Sequence, residues 1–351
     1  MMFWWYFILS AGVAVLLTGI VRIIMRHFSI VDIPHIEERK KHKRATPLGG
    51  GIAIFGAVLI SLVYCMYVGF FGDEVTHRQL IGVLIGGAVL IVGGLLDDIY
   101  NLGAKKQMIA PVIASLTIIA FGIGPHIITN PFGGVIHLGD LSLSVGVLGN
   151  IVVFADILVF FWLMGTMFTT KLLDGLDGLV SGIVAIGALM IFFLTQQPAW
   201  LQPEVSLIAI ILAGACTGFL VWNFEPAKIF LGEGGSLFTG YMLGILAIIS
   251  GGKIATTLLV IAVPVLDVVR VMIRRIQKKK SILVADDEHL HFKLIHSGLS
   301  QKQAVLLFYL ISLLFGATTL FLQSKQKIMA LLLLFILMVL VGLWFSGKEK
   351  K

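Results

Sequence analysis

The feature that most constrains the fold of this chain is a series of long apolar runs separated by short polar segments. A helix needs about 20 predominantly apolar residues to cross the hydrocarbon core of a bilayer. The chain has 58% hydrophobic and 13% charged residues, whereas about a quarter of the residues of soluble domains are charged. The sequence therefore predicts an all-α integral membrane protein, a polytopic bundle of 10–11 transmembrane helices. The candidate spans are residues 3–25, 50–70, 79–96, 108–124, 151–168, 179–194, 205–222, 236–250, 254–271, 303–322 and 328–345.

The segments between these runs suggest a simple organisation. We find no internal repeat, no low-complexity tract and no soluble domain boundary, so we expect a single polytopic membrane domain over residues 1–351. The connection 125–150 alternates apolar and polar residues and contains Gly-Gly and Gly-Asp turns, a pattern that predicts a small external β-hairpin. The connection 272–302 is predicted to be a loop that carries a histidine motif.

Basic residues are concentrated in a few connections and predict the orientation in the membrane. The net charge of +7 is carried largely by residues 39–44 and 274–280, with further lysines in 348–351. Each of these groups follows an odd-numbered run, and short loops rich in Lys and Arg stay on the cytoplasmic side. We therefore expect the N-terminus outside and the odd-to-even connections, 272–302 included, in the cytoplasm. Whether the basic loops also bind phosphate or anionic lipid headgroups is left open.

Acidic residues cluster in the same connections. Carboxylate oxygens hold divalent cations, often together with substrate phosphates, and random placement would scatter such residues over both faces of the membrane. Their shared face favours an enzyme that handles phosphorylated substrates, with solvated acids at helix ends as the simpler alternative. The residues concerned are Asp97 and Asp98, Asp174 and Asp177, Glu233, and Asp286, Asp287 and Glu288 before His289 and His291.

Two motifs sharpen this interpretation. The spacing of three between Asp174 and Asp177 places both carboxylates on one side of a helical turn, and the adjacent glycines allow close backbone approach. The Gly-rich segment 231–236 precedes an apolar run, so its amides and the helix dipole favour a phosphate. For Glu233 the alternative is a carboxylate that only stabilises the helix N-terminus. For the histidines the alternative is simple solvation in a loop.

The order and spacing of these motifs resemble the polyprenyl-phosphate N-acetylhexosamine-1-phosphate transferases of glycosyltransferase family 4. The undecaprenyl-phosphate GlcNAc-1-phosphate transferase-like branch fits better than the pentapeptide branch. The resemblance implies transfer of N-acetylhexosamine-1-phosphate from a UDP-sugar to undecaprenyl phosphate, giving a lipid-linked pyrophosphate sugar and UMP. It also implies a bacterial inner-membrane enzyme of cell-wall or surface-glycan biosynthesis, such as lipopolysaccharide or teichoic acid, with a cytoplasmic active site. The matching segments are residues 32–34, 39–42, 46–50, 96–105, 173–179, 223–236, 264–267 and 285–291.

The resemblance further implies roles for single residues. Asp97 would position or deprotonate the carrier phosphate, Asp98 would support the site, and Asp174 and Asp177 would organise metal and diphosphate. Mg²⁺ or Mn²⁺ would be the cofactor, with Glu233 and Asp177 as its ligands. The residues expected to bind substrate are Lys43, Arg44, Lys105, Lys171, Asn223, His289 and His291.

Several positions depart from the family pattern and put metal dependence in doubt. Phe168 and Lys171 stand where two asparagines are usual, the second of them expected to help ligate magnesium, and Glu233 stands in place of aspartate. A protonated lysine has no lone pair with which to ligate a cation, but it supplies positive charge directly. We therefore predict that Lys171 and Glu233 lie close together and that Lys171 takes over part of the charge neutralisation. Further departures are Phe292 in place of histidine, and Gln107 and Pro111 in place of lysine and glutamine.

Two other classes of function stay open. A catalytically altered homologue would bind polyprenyl phosphate and scaffold other glycan enzymes. A transporter would need ionisable groups along a path through the bilayer, and only Asp156 lies deep in an apolar run. The expected partners are undecaprenyl phosphate, a UDP-N-acetylhexosamine and membrane lipids, without nucleic acid, and a homodimer is left open.

Overall fold

The computed structural model of the protein describes residues 2–33, 45–125, 127–129, 135–137, 142–144, 150–251, 254–277, 289–322 and 325–336. Most of this chain is helical. The helices are α1 (Met2–His27), α2 (Gly50–Tyr67), α3 (His77–Tyr100), α4 (Ala104–Gln107), α5 (Ile109–Ala120), α6 (Val153–Leu173), α7 (Leu179–Thr195), α8 (Pro203–Asn223), α9 (Gly232–Ile249), α10 (Ile254–Val260), α11 (Ala262–Gln277), α12 (Leu290–His296) and α13 (Gln301–Thr318). A 3-10 turn (Pro198–Trp200) precedes α8, and residues 325–336 are also helical.

Within the part of the chain that the structure describes, seven helices are long and apolar enough to cross a membrane, so the chain is a multi-pass membrane protein. An eighth span is present if α10 and α11 are one span, although they are bent by 81° relative to each other. Pro264 lies in the first turn of α11 and has no amide hydrogen to continue the ladder of α10. The seven helices, within the described residues, are α1, α2, α3, α6, α8, α9 and α13.

Three of the predicted spans differ from that picture. The predicted run 108–124 contains a helix of only 12 residues, α5, which is about 18 Å long at 1.5 Å per residue. The helix α7 has 17 residues and is apolar throughout, one residue below the length of the shortest full spans. The predicted span 328–345 lies within the described residues only as far as residue 336. Apolar composition therefore predicts where the apolar helices lie. It does not predict the bends or the early helix ends within the apolar runs.

The strands among the described residues form three antiparallel pairs. In the connection predicted to be a β-hairpin, β3 (Ile127–Thr129) pairs with β4 (Val135–His137), and β5 (Ser142–Ser144) pairs with β6 (Asn150–Val152). The predicted β structure in this segment is thus confirmed, as two short ladders. A further pair, β1 (Val31–Asp32) with β2 (Thr46–Pro47), joins the end of α1 to the start of α2.

Glycines bring α2, α3 and α9 into backbone contact at the end where the acidic motifs lie. A Cβ added to Gly94 of α3 would lie 2.0 Å from the amide nitrogen of Gly234, and one added to Gly51 of α2 would lie 2.2 Å from the Cα of Gly235. Small residues permit this close approach of membrane helices. The same end of α9 is fixed by a backbone hydrogen bond of 2.8 Å, which the amide of Gly51 donates to the carbonyl of Leu231. The C-terminal turn of α3 is thereby held beside the first turn of α9.

Candidate active site

Three helix ends and one short helix meet at a single polar region. The last turn of α3 supplies Asp97 and Asp98, the end of α6 supplies Lys171 and leads into Asp174, and the first turn of α9 supplies Glu233. The short helix α12 packs against the turn that follows α6, because a Cβ on Gly175 would lie 2.5 Å from Nε2 of His291. The acidic motifs of the sequence are therefore brought together in space, apart from Asp286, Asp287 and Glu288, which lie outside the described residues.

Lys171 links the two sides of this region. Its ammonium forms an ion pair with the carboxylate of Glu233, and each side chain is only 17% exposed. The ammonium also donates to the side-chain oxygen of Gln107 over 2.9 Å. The side-chain nitrogen of Gln107 in turn donates to both carboxylate oxygens of Asp97, at 3.1 and 3.2 Å. The predicted proximity of Lys171 and Glu233 is thus confirmed, and a continuous polar chain runs from Asp97 to Glu233.

The adjacent aspartates at the end of α3 have different environments. Asp97 is 9% exposed and also accepts a hydrogen bond of 2.8 Å from the amide of Leu102. Asp98 accepts a hydrogen bond of 3.1 Å from the amide of Glu233, at the very start of α9. A Cβ on Gly232, whose φ is +75°, would lie 2.6 Å from a carboxylate oxygen of Asp98, so this close packing requires glycine. The start of α9 was expected to favour a phosphate. In the described contacts, its Glu233 amide donates to Asp98 instead.

The second acidic pair brackets the turn between α6 and α7. Asp174 follows the last residue of α6, and Asp177 accepts a hydrogen bond of 2.9 Å from the amide of Ala227. Asp174 has exposed surface, although most of its wider surroundings are protein. Burial raises the pKa of Asp174 well above its usual value, and the nearby negative charges of Glu233, Asp98 and Asp177 raise that pKa further. The region around Asp174 therefore favours a group that brings positive charge or a proton.

The two histidines occupy a buried, ordered position. Nδ1 of His289 lies 2.9 Å from a carboxylate oxygen of Asp267, which also accepts from the amide of Leu290 over 2.9 Å. The other oxygen of Asp267 accepts from Arg270 at 2.7 Å. The rings of His289 and His291 stack at 5.5 Å with an interplanar angle of 8°. Simple solvation in a loop, the alternative considered for these histidines, does not describe this arrangement.

His291 is buried, and its Nε2 has no hydrogen-bond partner among the described residues. Burial lowers the pKa of His291 to about 3, with the charge of His289 acting in the same direction and that of Asp267 opposing it. The imidazole is therefore neutral near pH 7. Phosphate binding by His291 stays a prediction, and it would use one neutral hydrogen bond rather than a positive charge.

The other residues expected to bind substrate are placed less directly. Lys105 is exposed and outside the polar chain described above. Asn223 is buried; its oxygen accepts from the amide of Gly178 at 3.0 Å and its nitrogen donates to the carbonyl of Ile229 at 3.0 Å. These bonds fix the turns around the site, and direct substrate contact by Asn223 stays a prediction. Lys43 and Arg44 lie outside the described residues.

Metal binding depends on several donors that converge. Within the described ranges, no group of three His, Cys, Asp or Glu side chains is arranged to hold a metal ion. Glu233 is engaged by the ammonium of Lys171, and Asp177 by the amide of Ala227. The two residues predicted as metal ligands therefore do not fit a shared divalent ion in this arrangement.

Sequence reasoning did not assign a role to Gln107, Asp267 or Arg270. Gln107 had been noted only as a departure from lysine, although a neutral amide is what can bridge Lys171 and Asp97. Asp267 falls within a matching segment, but its partner His289 is 22 residues away, and no local pattern reveals that pairing.

Comparison of the sequence with known proteins identifies the family of the chain. The family model described as glycosyl transferase family 4 matches residues 80–251. A probable undecaprenyl-phosphate N-acetylglucosaminyl 1-phosphate transferase of Bacillus subtilis (strain 168) is 30% identical over 344 residues, which cover 95% of this chain and 88% of the relative. A decaprenyl-phosphate N-acetylglucosaminephosphotransferase of Mycolicibacterium smegmatis is 30% identical over 93% of this chain and 84% of the relative. A phospho-N-acetylmuramoyl-pentapeptide-transferase of Lactococcus lactis subsp. cremoris is 31% identical over 85% and 90%, respectively. The chain therefore belongs to glycosyl transferase family 4, among the transferases that attach a sugar-1-phosphate to a polyprenyl phosphate.

Proposed function

We propose that the protein transfers N-acetylhexosamine-1-phosphate from a UDP-N-acetylhexosamine to undecaprenyl phosphate. The observation that carries this proposal is the convergence of Asp97, Asp98, Asp174, Lys171 and Glu233 at three neighbouring helix ends. The names of the relatives support a polyprenyl phosphate acceptor and an N-acetylglucosamine donor. A site at the end of a membrane bundle suits one substrate held in the lipid and another that arrives from water.

The reaction is a substitution at phosphorus. An oxygen of the carrier phosphate forms a bond to the β-phosphorus of the UDP-sugar, and the bond from that phosphorus to the bridging oxygen breaks. The bridging oxygen leaves with UMP, and the sugar stays attached through its phosphate to the carrier. A phosphate monoester has a second pKa of about 6, so the carrier is largely dianionic at pH 7. The protein must therefore align two anions and offset their charge more than it must supply a strong base.

The polar chain from Asp97 to Glu233 suits that task. Lys171 is the cation within it and attracts the diphosphate. Asp97 is held by Leu102 and Gln107, so its carboxylate has a fixed place from which to orient the carrier phosphate or accept its residual proton. Burial and the neighbouring carboxylates raise the pKa of Asp174, so added positive charge is favourable beside it. We place this site on the cytoplasmic side of the bacterial inner membrane, because the basic loops follow odd-numbered runs.

The test is release of UMP by the purified full chain. Protein in detergent or nanodiscs is mixed with a UDP-N-acetylhexosamine, with and without undecaprenyl phosphate, and UMP is measured by chromatography. We expect release that requires the carrier and is lost in Asp174→Asn. The variant Lys106→Asn is the matched control, because Lys106 is exposed and outside the polar chain.

A second candidate function is supported by the same residues. A catalytically altered homologue would hold polyprenyl phosphate without turning it over, and the substitutions at Lys171 and Glu233 favour this reading more than any other feature does. Binding of undecaprenyl phosphate without UMP release from any UDP-N-acetylhexosamine would support it against the transferase.

A further inference from the structure

Four of the six departures from the family pattern form one contiguous cluster at the acidic site. Lys171 contacts Glu233, donates to Gln107, and has its ammonium 5.8 Å from the ring centroid of Phe168, one turn earlier on α6. Residues three apart on a helix are neighbours, and an aromatic face attracts a cation at this distance. Phe168, Lys171, Gln107 and Glu233 are thus not independent changes, because each of the other three touches or faces the ammonium.

Each member of the cluster suits a lysine and would suit a metal ion less well. Gln107 presents its oxygen to Lys171 at 2.9 Å, where a second lysine would repel it. Phe168 offers a ring face in place of a polar ligand. Glu233 is one methylene longer than aspartate, which lets its carboxylate reach across to the end of α6.

We infer that Lys171 is the resident cation of this site, and that its ammonium occupies the place beside Glu233 that a divalent metal ion bound to this carboxylate would take. This inference deepens the proposed function, since it concerns how the site offsets the charge of the diphosphate. An ammonium has no lone pair for a metal, and it neutralises the carboxylate that would serve as a ligand. Consistently, the side chains around it in the described part of the chain contain no convergent set of three metal donors.

The direct test is binding of Mn²⁺ alone to the full chain, followed by electron paramagnetic resonance. We expect the native protein to bind no Mn²⁺ tightly at this site. The double variant Lys171→Asn with Glu233→Asp should bind one ion about 10–100-fold more tightly than the native chain does, the range typical when groups that support a metal are changed. Lys106→Asn, which removes an exposed lysine outside the cluster, should bind as the native chain does.

Native protein that binds one Mn²⁺ as tightly as the double variant would overturn the inference. If the double variant does not fold, Lys171→Gln replaces it, because Gln removes the charge at similar length. Lys171→Gln then supplies the comparison, and a native chain that binds Mn²⁺ as tightly as Lys171→Gln does would equally overturn the inference.

Activity separates this inference from the function on which it rests. We expect the native protein to release UMP in EDTA, whereas the double variant should need added Mg²⁺. UMP release that strictly requires Mg²⁺, together with tight Mn²⁺ binding, would leave the transferase intact and reject the role of Lys171. Weak Mn²⁺ binding without UMP release under any condition would reject the transferase and retain Lys171 as the resident cation.

Discussion

Lys171 in the last turn of α6 and Glu233 in the first turn of α9 form an ion pair that joins two helices through opposite charges. At an effective dielectric constant of about 20, two unit charges 4 Å apart interact by about 4 kcal/mol, and a divalent ion at that distance from an ammonium is repelled by about twice as much. The carboxylates nearby offset part of this repulsion. A lysine at this position therefore changes which cation the site admits, even though the acidic residues around it remain.

Neutralising a carboxylate of the polar region is expected to abolish most turnover. Asp97→Asn and Asp174→Asn keep the side-chain volume but remove a carboxylate that accepts protons and attracts the cationic groups that hold the phosphates, so each should lower kcat by about a hundredfold or more. UMP release by the purified variants measures this, with size-exclusion elution as the check on folding. The control is Asp73→Asn, an exposed aspartate in the connection that precedes α3. Near-native turnover in either site variant would show that the role implied by the resemblance does not apply at that position.

Asp267 is expected to act by positioning His289. Its carboxylate holds Nδ1 of His289 and the amide of Leu290, so Asp267→Asn should change both the tautomer of the ring and the start of α12. If His289 contacts substrate, Asp267→Asn and His289→Gln should each lower kcat/KM. The loss in the double variant, expressed as a free energy, should then be smaller than the sum of the two single losses. The coupling energy expected from a double-mutant cycle of such neighbours is about 0.5–3 kcal/mol.

Additive losses in that cycle would mean that the two side chains act separately. The pH profile of kcat/KM is the second measurement, because a change in stability alone would not shift it, whereas a change in the environment of the His289 ring would. Asp267→Glu keeps the acceptor and should restore part of the activity.

The common location of the acidic residues could be predicted from sequence, because it follows from the number of apolar runs that separate them. Once the apolar runs were ordered, the connections containing Asp97, Asp174 and Glu233 had to share one face, and the structure places them in one region. The contact between Lys171 and Glu233 was predicted from charge at two altered positions. Neither step needed the detailed path of the backbone.

Other features depended on tertiary contacts that leave no local pattern. The Gly-rich start of α9 looked suited to a phosphate, but Asp98 reaches it from α3, 135 residues earlier in the chain. The run 108–124 is apolar throughout, and nothing in its composition indicates that its helix has only 12 residues. Hydrophobic periodicity indicates which residues are buried. The partner of the α9 start and the length of α5 depend instead on tertiary contacts at the helix ends.

Glu204 is expected to be a stability determinant remote from the acidic site. Its buried carboxylate accepts hydrogen bonds from four consecutive amides, those of residues 72–75, at 3.1, 2.9, 3.0 and 2.6 Å. Glu204→Gln would turn an amide group toward these donors and leave some of them unsatisfied, at a cost of about 1–3 kcal/mol each. Thermal unfolding in detergent should show a lowered Tm, with UMP release at low temperature close to native. An unchanged Tm would mean that water satisfies the loop equally well.

His291 predicts a pH dependence of stability. Burial lowers its pKa to about 3 in the folded protein from an ordinary value of 6.5, so between these values the unfolded chain binds a proton that the folded chain does not. The contribution of His291 to stability is therefore complete above pH 6.5 and is lost as the pH is lowered, by up to about 1.4 kcal/mol per pH unit. Unfolding measured at pH 7, 6 and 5 should show this slope, and His291→Gln should reduce it. His77→Gln, at an exposed histidine, is the control and should leave the slope unchanged.

The last prediction concerns orientation, which connects the site to the compartment of its nucleotide substrate. The basic loops predict that the connections after α3 and α12 face the cytoplasm, and that the segment between α2 and α3 faces outside. Single cysteines at Asn101, Ser297 and Asp73 report these three places, and all three positions are exposed. The native Cys65 and Cys216 are buried and would be changed to alanine to give a silent background. An impermeant maleimide added to intact cells should label Asp73→Cys alone, and all three variants after the membrane is opened. Labelling of Asn101→Cys and Ser297→Cys from opposite sides would separate Asp97 from His289 across the bilayer and reject a common cytoplasmic site.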